Sequence, residues 1–343
     1  MESQHTAADW RPVILHSGGG RHEPRLEVAQ QGHQLLALAL VAVDAAGGGA
    51  EAKGDLFGEA GEVALKTAGR LLRDDLLLLP GISGLAAYIP PYRVWLEDWC
   101  DWTDNQWPKI REVVGRSFRV RGPDQSVYTM AATAVMRLIE QYDVDPTRVK
   151  FLGLGTESST DNSAGAIIVK GMVDRALEAR GKPPIARSCE VPEFKHACLG
   201  GVYGMKGAIR HLALDGAGGQ AIVVCADIAE YARGSSGEPT QGAGAVAMLL
   251  EEDPSLAVVD LPASGSASDY RIMDFRKPML RFCGQDRSQA HQVQDFPVFN
   301  GKYSTTCYID ETLQAMNDMY EKRNHDPRAY LDSLRNVFMH GSY

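Results

Sequence analysis

The sequence predicts an α/β protein in which a sheet of buried strands has helices on both faces. Short segments such as 221–226 are uniformly apolar, as expected of parallel strands that are buried on both sides. Longer segments such as 125–141 place apolar residues three and four positions apart, which is the period of an amphipathic helix. Because the two kinds of segment alternate along the chain, a layered α/β architecture is favoured.

These elements follow one another in a regular order after residue 80. Asp124 precedes the first long helix and is a natural N-cap for it. The predicted strands are 82–89, 149–154, 221–226, 243–250 and 256–261. The predicted helices are 125–141, 164–178, 195–212 and 311–322.

The first 80 residues differ in composition from the rest of the chain. Glycine triplets and leucine runs alternate there, and the pattern indicates two short helices at about 26–43 and 58–73. We interpret residues 1–80 as a poorly ordered extension and residues 81–343 as the domain. A start codon placed upstream of the true one is the alternative that the sequence leaves open.

Composition excludes several classes of protein. With 44% hydrophobic and 23% charged residues, the 343-residue chain is too apolar to be disordered. Its net charge of −9 argues against a general nucleic-acid binder. Its longest apolar run, 35–43, is shorter than the ~20 residues that cross a membrane. The six cysteines form no C-x-x-C pair, which predicts a reducing, cytoplasmic environment with no metal site.

Cys198 is the candidate nucleophile. Small residues surround it at the point where a strand region gives way to helix 195–212. The positive end of a helix dipole lowers the pKa of a thiol. Gly200 and Gly201 are expected to leave backbone N–H groups free for a developing oxyanion. A buried structural cysteine is the other interpretation of the same pattern.

Two residues with acid–base chemistry follow predicted strands. Glu157 comes just after 149–154, where α/β folds place their sites, and partial desolvation there would raise its pKa and suit it to proton transfer. His340 ends the segment 336–340, whose residues 337–339 are apolar, and an imidazole there can donate to a carbonyl group. A solvated loop carboxylate and an ordinary histidine are the alternatives.

The glycine-rich segment 237–245 lacks a dinucleotide fingerprint and predicts a tight turn.

Several motifs occur in one order between about Gly81 and His340. Through them the chain resembles the 3-hydroxy-3-methylglutaryl-CoA synthase family of the thiolase superfamily. The resemblance implies a thiolase-like layered fold (α-β-α-β-α), with the first half present and the second half incomplete. The most specific motifs are 225–231 and 237–248, and the supporting motifs are 155–158, 195–198, 274–278 and 300–304.

The resemblance also implies a mechanism. Cys198 takes the acetyl group of acetyl-CoA as a thioester, and Glu157 removes a proton from its methyl group. His340 positions the thioester of acetoacetyl-CoA and polarises its carbonyl. The enolate carbon then adds to the ketone, and water releases the product. No cofactor is implied, and a homodimer is expected. The other matched positions are substrate-binding Ser235, Ser236, Thr240 and Ser304, and supporting Asp227, Tyr231 and Asp274.

The sequence departs from the family pattern in several places. His196 stands where Glu is common, and Leu199 follows the nucleophile where Tyr is usual. The chain stops shortly after His340, before the lysines that hold CoA in the family, so we expect a truncated and poorly stable protein. Two alternatives follow. One is the same condensation on a β-ketothioester of an acyl carrier protein, as in polyketide β-branching. The other is a catalytically impaired fragment or pseudoenzyme.

Overall fold

The computed structural model describes residues 80–159, 161–271 and 301–340. Its strands are β1 (Gly81–Tyr88), β2 (Tyr92–Trp95), β3 (Ser117–Val120), β4 (Val149–Gly155), β5 (Glu193–Phe194), β6 (Gln220–Ala229), β7 (Gly242–Glu251) and β8 (Ala257–Val258). Its helices are α1 (Leu96–Thr103), α2 (Trp107–Val113), α3 (Val127–Gln141), α4 (Gly165–Glu178), α5 (Gly200–Ala213), α6 (Gly301–Arg323) and α7 (Pro327–Ser333).

A six-stranded sheet in the order β5-β4-β6-β7-β1-β8 forms the centre of the described structure. Strand β4 runs parallel to β5 and β6, whereas β7 runs antiparallel to β6 and β1. The first eight residues of β6 are all buried, which confirms the interpretation of its apolar run. Because β4, β5 and β6 are parallel, their carboxyl ends meet at one edge of the sheet.

Helices cover both faces of this sheet, as the sequence predicts. Alternate residues of β6 face opposite sides: Ile222 packs in the cluster formed with α3 and α4, and Val223 packs in the cluster formed with α5. The strands β2 and β3, which are joined through α1 and α2, form a separate two-stranded antiparallel sheet beside a small cluster around Trp99. The α/β class is therefore confirmed.

The boundaries of several predicted elements are wrong. Helix α3 is capped by Ser126 and not by Asp124, because the side chains of Ser126 and Thr129 form a reciprocal capping box. Helix α6 begins ten residues before the predicted start, at Gly301. The expected strand 256–261 is reduced to Ala257–Val258, and residues 336–339 form no strand.

Helix α5 begins at Gly200, five residues after the predicted start. Residues 195–199 form an irregular segment instead, in which Ala197 has a left-handed φ of 42°. A non-glycine residue in this conformation stores strain, and such residues cluster at functional sites. The segment that carries Cys198 is thus a bent connection that leads into α5.

Some predictions lie outside the described residues, among them the helices 26–43 and 58–73, the residue Asp274 and the motif 274–278. In the part of the chain that the structure does describe, no helix has the length and apolar character that crossing a membrane requires.

Glycines allow the start of α5 to pack directly against the ends of two strands. A Cβ atom on Gly155 would lie 2.4 Å from the backbone nitrogen of Gly201. A Cβ atom on Gly201 would lie 2.1 Å from Cys225 Sγ, and one on Gly200 would lie 2.7 Å from the carbonyl oxygen of Phe194. Real Cβ atoms do not approach so closely, so the backbone packing requires glycine at 155 and 200, and a side chain at 201 would have to displace the Cys225 thiol.

We expect Gly155→Ala to destabilise the protein by about 1–3 kcal/mol, because the added methyl group meets backbone atoms that cannot rotate away. Gly171→Ala is the matched control, since a Cβ there meets no atom within 4 Å. On the exposed face of α4, that alanine should stabilise by about 0.5–1 kcal/mol. Urea unfolding followed by circular dichroism measures both. A Gly155→Ala protein as stable as the native chain would contradict the packing argument.

Candidate active site

The buried carboxylate of Asp227 organises the loop that follows β4. Asp227 is 8% exposed and lies near the end of β6. Its Oδ1 atom accepts hydrogen bonds from Thr156 Oγ1 at 3.0 Å, from the Glu157 backbone N–H at 2.8 Å and from Ser158 Oγ at 2.8 Å. The Ile228 N–H in turn donates to Ser158 Oγ at 2.9 Å. Asp227 thereby holds the backbone of residues 156–158, which includes Glu157.

Burial raises the pKa of Asp227 above its ordinary value, and the three donors only partly oppose this effect. Desolvation disfavours the charged form of a carboxyl group, whereas hydrogen bonds to the carboxylate favour it. Since burial is the larger effect here, the folded protein binds a proton at Asp227 more readily than the unfolded chain does.

A second buried carboxylate holds the far end of the same loop. Glu193 of β5 accepts hydrogen bonds from the Gly165 N–H at 2.6 Å and from Ser159 Oγ at 2.5 Å. Its side chain is fully buried, and it caps the start of α4, which has no side-chain cap of its own. Lys195 Nζ donates to the carbonyl oxygen of Asp161 at 2.8 Å. The loop that carries Glu157 is therefore held from β5 as well as from β6.

Cys198 is an exposed residue, while the other cysteines of the described residues are buried. The surrounding protein desolvates a thiolate at this position, and the negative charges of Glu157 and Asp227 also disfavour it. Together they raise the pKa of Cys198 to about 11. The predicted lowering of this pKa by a helix dipole is therefore wrong. The two carboxylates that act on the thiol are the ones at the ends of β4 and β6.

The backbone N–H groups next to Cys198 also differ from the prediction. The Gly200 N–H donates to the carbonyl oxygen of Ala197 at 3.1 Å, so it is engaged in the turn before α5. The two glycines serve the close packing described above. The expectation that both N–H groups are free for an oxyanion is wrong for Gly200.

Four predicted residues lie in the loop between β6 and β7. Tyr231 is buried, and its backbone N–H donates to Gln241 Oε1 at 3.3 Å. Ser235 Oγ is buried and has no hydrogen-bond partner in the described parts of the chain, whereas Ser236 is exposed. Thr240 Oγ1 donates to a backbone carbonyl of its own turn. A buried hydroxyl without a partner is costly, and Ser235 therefore has hydrogen-bonding capacity for a ligand.

Ser304 and His340 belong to the region of α6. Ser304 Oγ, in the first turn of α6, is buried and has no hydrogen-bond partner among the described residues. The carbonyl oxygen of His340 accepts a hydrogen bond from Tyr308 Oη at 2.8 Å, and the two rings lie 6.2 Å apart. Tyr308 of α6 thus positions His340. The structure brings Cys198, Glu157 and Asp227 together, and it associates His340 with the helix that carries Ser304.

Sequence reasoning missed the partners that hold these groups. Thr156 and Ser158 donate hydrogen bonds to Asp227, and Glu193 accepts one from the first residue of α4. These partners are 28 to 71 residues apart in the chain. Their polar side chains flank strands that are otherwise apolar, and this is the signal that could have singled them out.

One group among the described residues has side chains of the types that bind metal ions: Glu190, His211 and Asp215, whose ligand atoms lie within 4.8 Å of one another. His211 Nδ1 lies 3.2 Å from Asp215 Oδ1, and its Nε2 is buried without a hydrogen-bond partner among the described residues. A metal on Nδ1 would leave a buried proton on Nε2 with no acceptor among them. The arrangement therefore fits an imidazole whose Nδ1 faces Asp215 better than a metal ligand.

Comparison with known proteins gives consistent matches. A family model described as hydroxymethylglutaryl-coenzyme A synthase N terminal matches residues 80–255. The chain is 31% identical over 255 residues to a hydroxymethylglutaryl-CoA synthase of Enterococcus faecalis. The aligned region covers 74% of this chain and 59% of that protein. The chain thus spans less than two thirds of the length of this relative.

Solved structures share the fold. MvaS in complex with 3-hydroxy-3-methylglutaryl coenzyme A matches with a TM-score of 0.61 and 34% identity, covering 71% of this chain and 53% of that one. The hydroxymethylglutaryl synthase of the curacin biosynthetic pathway, in complex with a holo donor carrier protein, matches with a TM-score of 0.59 and 22% identity, covering 71% and 54%. The thiolase-like α/β architecture is common to all three.

The pKa of Cys198 can be measured from the pH dependence of its alkylation. We expect the rate of reaction with iodoacetamide to rise towards pH 11, because the thiolate is the reactive form. Glu157→Gln should lower the apparent pKa, since it removes a negative charge that disfavours the thiolate. Glu140→Gln, which alters an exposed carboxylate on α3, is the control and should leave it unchanged. Mass spectrometry of the Cys198 peptide provides the rate. An apparent pKa below 9 would contradict this electrostatic description.

Asp227→Asn should change how stability depends on pH. Because the folded state raises this pKa above 3.8, the native chain should lose stability relative to Asp227→Asn as the pH rises from about 4 to 7. The asparagine Oδ1 can still accept the three hydrogen bonds. Asp145→Asn is the control with the opposite sign: because the folded state lowers the pKa of that exposed carboxyl, the native chain should gain stability relative to this variant as the pH rises past about 4. Urea unfolding at several pH values gives the free energy of unfolding of each protein. If this free energy depends on pH in the same way for the native chain and for Asp227→Asn, the prediction is refuted.

Proposed function

Because the chain belongs to the hydroxymethylglutaryl-coenzyme A synthase family, we propose that it condenses an acetyl group with the ketone of acetoacetyl-CoA. The observation that carries this proposal is the placement of one exposed thiol, Cys198, within the electrostatic reach of Glu157 and Asp227. A thiol can hold an acyl group, and a carboxylate beside it can remove a proton from that group. Acyl-CoA condensation requires both functions at one place.

In the first step, Cys198 Sγ attacks the carbonyl carbon of acetyl-CoA. The thiol is neutral at pH 7, so attack requires a base that takes its proton as the new thioester forms. Glu157 has the larger electrostatic effect of the two carboxylates on this thiol, and we assign the proton to it. The proton then passes to the sulfur of CoA, which leaves as a free thiol.

In the second step, the Glu157 carboxylate removes a proton from the methyl group of the acetyl thioester. The resulting enolate carbon forms a bond with the ketone carbon of acetoacetyl-CoA, and protonated Glu157 returns its proton to the alcoholate. His340 polarises the carbonyl of the acetoacetyl thioester. Water finally cleaves the thioester to Cys198, which releases 3-hydroxy-3-methylglutaryl-CoA and restores the thiol.

The hydroxyl groups of Ser235 and Ser304 support a role in substrate binding. Both are buried without a hydrogen-bond partner in the part of the chain that the structure describes, so each has a free hydroxyl there for the acyl part of a substrate. Ser236, Thr240 and the supporting Tyr231 lie in the same loop as Ser235. The reaction that we propose uses CoA thioesters as substrates and no cofactor, and a homodimer is the assembly that we propose.

Labelled acetyl-CoA tests the first half of the reaction. We expect the label to appear on Cys198 in the full-length chain and to be absent from Cys198→Ala. Cys100→Ala is the control, because Cys100 is buried in the separate cluster beside the β2–β3 sheet, and this variant should acetylate normally. Glu157→Gln should lower the rate of condensation by about 100- to 10,000-fold, the range for losing a general acid–base.

The second substrate decides between two forms of the proposal. Release of product from acetoacetyl-CoA supports the synthase activity, whereas release only from an acetoacetyl carrier protein supports condensation on a carrier. A folded chain that fails to acetylate Cys198, or that acetylates another residue instead, would refute both and favour a catalytically impaired protein.

A further inference from the structure

A pocket of about 630 Å³ lies between β3, with the turn that follows it, and the loop that joins β6 to β7. This volume is within the ~300–1,000 Å³ range of small-molecule sites. Ile228 and Ala229 form part of its wall, and they directly follow Asp227 on β6. The pocket therefore adjoins the carboxylates of the active site and shares the supporting residue Tyr231 with it, but the arginines that line it are not among the predicted site residues.

Three guanidinium groups line this pocket: those of Arg119, Arg121 and Arg233. Arg119 Nη1 donates to the carbonyl oxygen of Pro91 at 3.0 Å, and Arg121 Nη1 donates to that of Gln125 at 3.3 Å. These carbonyl groups hold two of the arginines in place. In the described parts of the chain, none of the three forms an ion pair with a carboxylate. A guanidinium has five N–H donors, so each retains donors for an anion.

Two carboxylates, Glu230 and Glu238, also line the pocket. The backbone N–H of Gly234 donates to Glu238 Oε2 at 2.6 Å, which offsets part of that negative charge. Burial and the neighbouring Arg93 lower the pKa of Arg119, and a bound anion would relieve the repulsion between these two cations. Guanidinium groups bind phosphate through paired N–H donors, and three of them match a group that carries nearly two negative charges.

We propose that this arginine pocket binds a phosphoryl group, either as free phosphate or as part of a larger phosphorylated ligand. The proposal concerns binding alone and does not depend on the condensation described above, because no step of that reaction uses the three arginines. Its failure would leave the acetylation of Cys198 unaffected.

Isothermal titration of the full-length chain with pyrophosphate tests the proposal. Arg233→Gln should weaken binding about tenfold, as expected for the loss of one charge-assisted contact. Arg233 is exposed, and no hydrogen bond to the rest of the described structure would be lost with it. Glu230→Gln should strengthen binding severalfold, because it removes a repelling charge from the pocket. Arg187→Gln, which alters an exposed arginine outside the pocket, is the control and should leave the affinity unchanged.

Circular dichroism of each variant establishes that it is folded. Absence of pyrophosphate binding by the native chain, or equal affinities for the native chain, Arg233→Gln and Arg187→Gln, would overturn the proposal. Weaker binding by Arg233→Gln together with tighter binding by Glu230→Gln would support it. A competition experiment then identifies the ligand that carries the phosphoryl group. If CoA displaces bound pyrophosphate, the phosphoryl group belongs to the thioester substrate. If CoA does not displace it, the pocket binds a separate phosphorylated ligand.

Discussion

Direct backbone contact between the start of α5 and the end of β4 is the constraint on which the site depends. Gly155 and Gly201 meet with no room for a Cβ atom between them. Because α5 approaches so closely, Cys198 just before it comes within the electrostatic reach of Glu157 just after β4. A side chain at Gly155 would push the start of α5 away from β4, and with it the thiol from the carboxylate that we assign to its chemistry.

The burial of Asp227 disfavours its charged form, but the same position lets its carboxylate hold the loop that carries Glu157. Asp227 is buried where ionisation is unfavourable, yet its Oδ1 atom receives the three donors that shape the Glu157 loop. The same negative charges that position this loop disfavour a thiolate at Cys198. Functional sites commonly retain such unfavourable arrangements because the surrounding fold supports them. The thiol here is therefore exposed to reagents but mostly protonated at neutral pH.

Much of the fold could be predicted from local patterns. The apolar run of β6 and the period of α3 indicate their elements directly, and the meeting of parallel strand ends places Glu157 at the site edge. The start of α5 could not be predicted, because the small residues around Cys198 fit a helix and a bend equally well. The pKa of Cys198 was predicted in the wrong direction, since the dipole argument ignored desolvation by the surrounding protein and the charges of Glu157 and Asp227, which come together only in the folded chain. Long-range partners of this kind leave no local periodicity.

The cap that Glu193 provides has a consequence for the order of structural events. Helix α4 has no side-chain cap of its own, and the carboxylate that serves it lies 28 residues later in the chain, on a strand of two residues. The first turn of α4 and the loop before it are therefore completed only after β5 has docked on β4. When that short edge strand detaches, loop and turn should open together as one cooperative unit, and their amide hydrogens should exchange at a common rate.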